Sequence, residues 1–289
     1  MRWTDWFRSV QGLRADAYDF SVDSNLSANS GQASDHMVTP KLSLIFGPWR
    51  STELYLNYGH GFHSNDARGA TISVDPASGN PVAAVNPLVR TRGSEVGLRT
   101  EIGQKWQSTV AVWQLENASE LLFVGDAGTT EASRPSRRYG VEWSNLYTAT
   151  DWLAFDADLA WSQARFRDPS PEGDHIPGAV TTTANLGLTV DHLGAWFGAL
   201  RWRYFGPRPL VEDDSVRSKA SSLTNLRIGY RYTPQLSLML DVYNLFDSRM
   251  NDIEYWYASR LPGEAADVAD RHLHPTEPRS LRLALIYRY

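Results

Sequence analysis

Leucine and tyrosine take every other position of the closing stretch. Leu281, Leu283, Leu285, Tyr287 and Tyr289 alternate with Ser280, Arg282, Ala284, Ile286 and Arg288. Successive side chains of an extended chain point to opposite faces, so this segment has one apolar face and one mostly polar face. The pattern recurs along the whole sequence. Residues 7–20 set Gly12, Arg14, Asp16 and Tyr18 against Leu13, Ala15 and Ala17. Residues 53–61 set Leu54, Leu56 and Tyr58 against Tyr55, Asn57 and Gly59. Residues 153–166 set Phe155, Ala157, Leu159 and Trp161 against Asp156, Asp158 and Ser162. About twelve such strands are expected, all antiparallel, in an all-β chain.

The connections fall into two kinds. Short ones are expected at residues 47–51, 103–106, 148–152, 192–194 and 233–235, each rich in turn-forming residues. The long ones alternate with them. Residues 24–36, 63–91, 125–134, 207–219 and 247–278 read as polar loops, the last with no clear strand in it. Tight turns at one end and long loops at the other, joining strands of about ten residues, are the signature of a transmembrane β-barrel with short periplasmic turns and long extracellular loops. Trp6, Trp49, Trp106, Trp152 and Trp196 cluster at the short-turn end, where indole rings suit the headgroup level. Arg14, Asp16, Arg99, Glu142, Asp156, Asp158, Arg201, Arg203, Arg227 and Asp241 are then expected to face an aqueous lumen. A charge on the lipid face costs about 2–4 kcal/mol near the midplane. A soluble β-sandwich also alternates, but it does not require one-sided loops or one-sided tryptophans.

Composition narrows the field. A formal charge of −5 points away from nucleic acid. The absence of cysteine removes disulfides and thiolate metal sites. No apolar run reaches the ~18 residues of a membrane helix. Mean hydropathy of −0.40 does not argue for solubility, because barrel strands are only half apolar. The start, Met1-Arg2-Trp3-Thr4-Asp5-Trp6, shows no secretory signal, so a mature form or a fragment is expected.

Four stretches resemble one family. The run from Glu53 through Asn57, Gly59-His60-Gly61-Phe62 and Ser64-Asn65-Asp66 is similar to the strand, Gly-x-Gly-Phe and Ser/Asn-Asp segment of TonB-dependent outer-membrane receptors. Arg92-Gly93-Ser94-Glu95-Val96-Gly97 and Arg138-Tyr139-Gly140-Val141-Glu142 look like its Gly–Glu barrel strands. Asp241-Val242-Tyr243-Asn244-Leu245-Phe246-Asp247 resembles its penultimate strand, ending in Asn-Leu-Phe-Asp. The aromatic end, Tyr287 and Tyr289, is similar to the signal read by the barrel-assembly machinery. The resemblance implies a single domain over residues 1–289 from the C-terminal half of a barrel of about twenty-two strands. It also implies a plug domain and a TonB-contact segment, which this sequence does not show. Twelve strands are expected either to form an open, curved sheet, a partial barrel, or to close as a small barrel.

By the same resemblance the expected activity is energy-coupled uptake of a scarce ligand, such as a ferric siderophore or another metal chelate. Coupling to the TonB complex is expected only through the missing plug, so the chain alone should not drive transport. The expected surroundings are outer-membrane lipid and lipopolysaccharide, with no cofactor and no resident metal. Ligand contacts are sought in the outer loops and lumen: His60, His63, Asp66, Arg68, Arg208, His272 and His274, with Asp213 and Asp214 beside them. Imidazole and guanidinium groups suit a metal or anionic chelate, although ordinary loop polarity explains the same residues. Glycines 12, 59, 97, 140, 187 and 229 recur on the inward face, where they permit close approach. A passive pore or adhesion barrel needs only the barrel itself. An outer-membrane phospholipase would need Ser and His paired on the lipid face; no mid-strand histidine supplies one, and no catalytic residue is expected.

Overall fold

The computed structural model describes residues 1–76, 78–124 and 129–289. In chain order the strands are β1 (Phe7–Val22), β2 (Gly31–Trp49), β3 (Thr52–Ser64), β4 (Leu88–Ile102), β5 (Trp106–Asn117), β6 (Leu121–Val124), β7 (Thr129–Ala132) and β8 (Ser136–Thr150). They continue as β9 (Leu153–Phe166), β10 (Thr182–Leu193), β11 (Trp196–Phe205), β12 (Ser221–Arg231), β13 (Leu236–Tyr243), β14 (Asn251–Ser259), β15 (Val268–Pro275) and β16 (Ser280–Tyr287). A short α-helix, α1 (Ala67–Thr71), lies between β3 and β4, and a single 3-10 turn, Ser27–Asn29, lies between β1 and β2. Twelve strands form a single antiparallel sheet in the order β1-β2-β3-β4-β5-β8-β9-β10-β11-β12-β13-β16. The pairs β6–β7 and β14–β15 are separate two-stranded hairpins. β1 and β16 are not paired to each other, so the sheet is open.

The register fixes the two faces. Arg99 lies opposite Glu53, Arg201 opposite Gly187 and Arg227 opposite Asp241. Partners across a ladder share a face, so all the charged residues expected in the lumen line one side. There they form cross-strand pairs: Arg8 with Glu53 at 2.6 Å, Arg227 with Asp241 at 2.6 Å, and Arg201 with Asp156. The other face carries Leu54, Leu98, Val110, Trp143 and Leu159 in one registered row. Among the described residues nothing covers this face. Leu281, Leu283 and Leu285 are about 70% exposed, so their cover is lipid rather than a second sheet. A sandwich is ruled out by that geometry.

Exposed Trp49, Trp106 and Trp196 sit at the short-turn end, and Trp196 packs edge-on to Tyr230 at 4.9 Å. Two of the tight turns use glycine in the left-handed region, Gly103 at φ 58° and Gly194 at φ 60°, a conformation in which a Cβ is strained.

The strands rise further than the alternation suggested. β2 begins at Gly31, inside the segment read as loop, and β14–β15 stands in the last segment, read as lacking strands. The strand expected over residues 108–123 ends at Asn117, and β6 opens separately at Leu121. Roughly 9–11 residues cross the hydrocarbon. What protrudes above it meets water on both faces, so polarity no longer alternates and the sequence loses its marker. Residues 125–128 of one expected loop lie outside the described residues.

Inward glycines make room for neighbours rather than for bends. The Tyr55 ring lies over Gly97, and the Phe197 ring lies over Gly229, each where a Cβ would stand. Arg231 in turn lies over the Phe197 ring at 4.5 Å.

Candidate ligand-binding site

Two surfaces are candidates for ligand contact. The first is a hollow of about 550 Å³ on the lumenal face. Gly59, Gly61 and Gly93 floor it, and Asn57, Glu95, Trp113 and Glu142 stand around it. Gly59 and Gly93 are cross-strand partners, so their missing side chains leave the depression. Asn57 Nδ2 donates to Glu95 Oε1 at 3.5 Å; among the described residues Glu142 has no cation within ion-pair distance.

The second surface is the loop layer. Arg134, after β7, donates to Glu212 Oε2 at 2.6 Å and to the Gly173 carbonyl at 2.8 Å, and lies over the Phe166 ring at 4.0 Å. It thereby ties together three consecutive outer loops. Burial pushes the Glu212 carboxyl up, against the pull of Arg134. His175 stands between Asp174 Oδ1 at 3.4 Å and Asp214 Oδ2 at 3.5 Å. Ile176 and Leu210 are buried beneath. Glu254 of the β14–β15 hairpin is buried; it accepts from Arg271 Nη1 at 2.6 Å, Asn251 Nδ2 at 3.0 Å and the Lys219 amide at 3.3 Å. Burial raises the Glu254 carboxyl, but these donors outweigh it and hold it below the usual range. Glu120 is similar: burial opposes, while Arg138, Ser136 and Asn117 hold it down.

The predicted ligand residues are not brought to one point. His60 faces outward beside Tyr58 Oη at 3.2 Å and Arg90 Nη1 at 3.3 Å. His63 faces the lumen, half-buried, with Nε2 buried and without a hydrogen-bond partner among the described residues. Asp66 caps α1: it accepts from the Arg68 amide at 2.9 Å and from Arg68 Nη2 at 2.6 Å. The Arg68 guanidinium holds the Asp66 carboxyl below the usual range. The structure does bring Arg208 toward the last hairpin, where its Nη2 reaches the Asp252 carbonyl at 3.5 Å. In that hairpin His272 stacks on Tyr257 at 3.6 Å and His274 is exposed. Asp213 is occupied with Ser215, and Asp214 pairs with Arg217 at 2.8 Å. Among the described residues no three His, Asp or Glu groups gather as a metal site. The sequence does not mark Arg134, whose partners lie in other loops, nor Glu120 and Glu254, whose arginine partners stand 18 and 17 residues further along the chain. The only local signal is the density of arginine in Arg134-Pro135-Ser136-Arg137-Arg138.

Comparison with known proteins decides the family. Residues 1–245 match the model described as TonB dependent receptor-like, beta-barrel. The chain belongs to the TonB-dependent receptor family. That family consists of outer-membrane transporters, not enzymes, and this receptor barrel is an outer-membrane protein. Solved structures share its fold. The copper transporter OprC superposes with a TM-score of 0.75 at 20% identity, over 99% of this chain and 45% of that one. The ferric-catecholate import receptor Fiu from K12 E. coli gives 0.69 at 18%, over 99% and 43%. The ferric yersiniabactin uptake receptor FyuA from Yersinia pestis gives 0.71 at 17%, over 99% and 44%. The chain therefore spans less than half the length of these receptors.

Proposed function

We propose that the chain supplies the ligand-facing half of a receptor barrel that takes up a scarce metal chelate, such as a ferric siderophore. One observation carries this reading: four consecutive outer loops are tied to one another by side-chain bonds. Arg134 links three of them, and Arg271, bonded to the Arg217 carbonyl at 2.9 Å and to Glu254, attaches the last hairpin. A knit layer of that kind presents a fixed surface to a ligand, which a bare pore does not need. Arg208, His272 and His274 stand on it, and their donors suit an anionic chelate. The copper transporter OprC and the ferric-catecholate and ferric-yersiniabactin receptors, which share this fold, support the same class of ligand.

Glu95 and Glu142 face the lumen with no cation partner among the described residues, a place for cations of a plug, and energy coupling to TonB runs through such a plug. Tyr287 and Tyr289 serve as the address read during barrel assembly.

The test is equilibrium binding of ferric catecholate and ferric citrate to the protein in detergent, with and without Arg208→Ala and His272→Ala together. Loss of a charged and an aromatic contact should weaken one chelate about tenfold. Binding indifferent to both substitutions, for every chelate tried, would sink the assignment. Iron uptake restored by residues 1–289 alone in a receptor-null strain would sink the dependence on a plug.

A further inference from the structure

Five arginines stand on the lipid side of the sheet, where the lumen cannot solvate them. Along β4 the outward residues run Leu98, Val96, Ser94, Arg92 and Arg90 toward the long-loop end. Along β8 they run Trp143, Val141, Tyr139 and Arg137. Hydrocarbon-loving side chains thus give way to small polar and tyrosine side chains, then to charge, which is the order met on leaving a bilayer core for its headgroups. The charged level is continuous across strands. Arg92 pairs in register with Glu116, Glu116 with Arg137, and Arg137 with Arg165. Arg167, just past β9, reaches Glu116 Oε2 at 3.7 Å.

The charges do not balance. Glu116 serves Arg92, Arg137 at 3.1 Å and Arg167, one carboxylate for three guanidiniums. Arg165 has Asp174 at 3.5 Å. Among the described residues Arg90 has the Val38 carbonyl and the His60 ring nitrogen, each at 3.3 Å. A guanidinium carries five N–H donors and a carboxylate about four acceptor sites, so among the described residues most donors of this cluster have no protein partner. Arg92, Arg137 and Arg167 are about half exposed. They are planar forks suited to phosphate.

We propose that this outward arginine cluster binds the phosphate groups of an anionic glycolipid headgroup in the outer leaflet. The proposal rests on the membrane placement of the outward face and not on what the receptor takes up, so it can fail while the uptake reading stands. Depth and sign select the occupant: the cluster begins directly above the apolar band, on the side away from the lumen, and it carries excess positive charge.

The experiment measures binding of bisphosphorylated lipid A to the protein in detergent by native mass spectrometry. Wild type is compared with the triple substitution Arg92→Gln, Arg137→Gln, Arg167→Gln, and with Lys105→Gln in a periplasmic turn. The triple variant should bind about tenfold more weakly, and the turn variant should match wild type. Lipid A stripped of phosphate should bind wild type and triple variant alike, and millimolar inorganic phosphate should not displace the intact lipid. Equal affinity of wild type and triple variant for intact lipid A overturns the proposal. So does equal wild-type affinity for the stripped lipid. Displacement by inorganic phosphate assigns the cluster to a free anion and overturns the lipid assignment. If the triple variant fails to fold, Arg92→Gln and Arg167→Gln are measured singly. Each should lose about threefold, and no loss in either overturns the proposal.

Discussion

Asn244 shows how one side chain can fix the end of a strand. It is buried and sits at φ 49°, in the left-handed region that Asn tolerates better than most residues. Its Nδ2 donates to the carbonyls of Ser248 and Glu277, each at 3.0 Å, and its Oδ1 accepts from the Ser248 amide at 2.9 Å. Asp247, also left-handed at φ 54°, accepts from the Arg279 amide at 2.9 Å. The Asn-Leu-Phe-Asp motif is therefore a clasp. It holds the departure from β13 against the entry to β16, with the last hairpin rising between them. Asn244→Ala should lower stability by about 1–3 kcal/mol through lost partners, seen as a drop in the unfolding temperature in detergent. Asn244→Gly should recover only the backbone part, about 1 kcal/mol. An alanine variant as heat-resistant as wild type would show the clasp to be idle. The motif was legible in the sequence, yet its partners were not. Ser248 and Glu277 contribute carbonyls, which every residue has, so no side-chain type records the contact.

At the level of elements, legibility followed the solvent. Where a strand lies between lipid and lumen, as in β9 or β16, period-two alternation marks it. The protruding part of β2 and the β14–β15 hairpin meet water or other loops on both faces and leave no such mark. Inward glycines are a middle case: their recurrence was visible, but the reason lies on the next strand. Since Tyr55 covers Gly97, Gly97→Ala must displace that ring. It should cost about 1–3 kcal/mol by overpacking, and Tyr55→Ala in the same chain should relieve most of it. Additive losses in a double-mutant cycle would exclude the contact.

The last hairpin also offers a pH test. Glu254 is held below the ordinary carboxylate range by Asn251, Arg271 and Lys219. Its contribution is thus fully present above the unfolded value, about 4.3, and fades as pH falls through the lower folded value. Pepsin cleavage within residues 251–275 should accelerate as pH drops below that range. Glu254→Gln should be cut readily already at pH about 5, where the wild-type carboxylate is ionised, with little further change on acidification. A wild-type hairpin equally resistant across the range would detach Glu254 from its docking.

At the scale of the whole molecule, the open edges govern behaviour. β1 and β16 each pair on one side only, so alternate backbone N–H and C=O groups along both strands have no ladder partner. In water such edges invite pairing with other chains. In hydrocarbon each unsatisfied group costs several kcal/mol, which is why membranes admit closed barrels and not open sheets. Two outcomes relieve that cost. Further strands insert between β1 and β16, as the length of the solved receptors suggests, or the two edges meet in a twelve-stranded ring. The lumenal face favours the first. Its arginine and carboxylate rows are arranged for a wide aqueous interior, and the bulky Tyr55, Trp113 and Phe197 lie along the sheet over glycines rather than projecting to fill a narrow bore. Residues 1–289 produced alone in lipid should therefore give no compact, heat-resistant band on a denaturing gel. With cysteines placed at Gln11 and Leu283, one on each free edge, they should form no intramolecular disulfide, and because the native chain has no cysteine the readout is free of background. Rapid, high-yield cross-linking together with a heat-resistant band would mean that the twelve strands close on themselves. The wide-lumen reading of the inward face would then have to be abandoned.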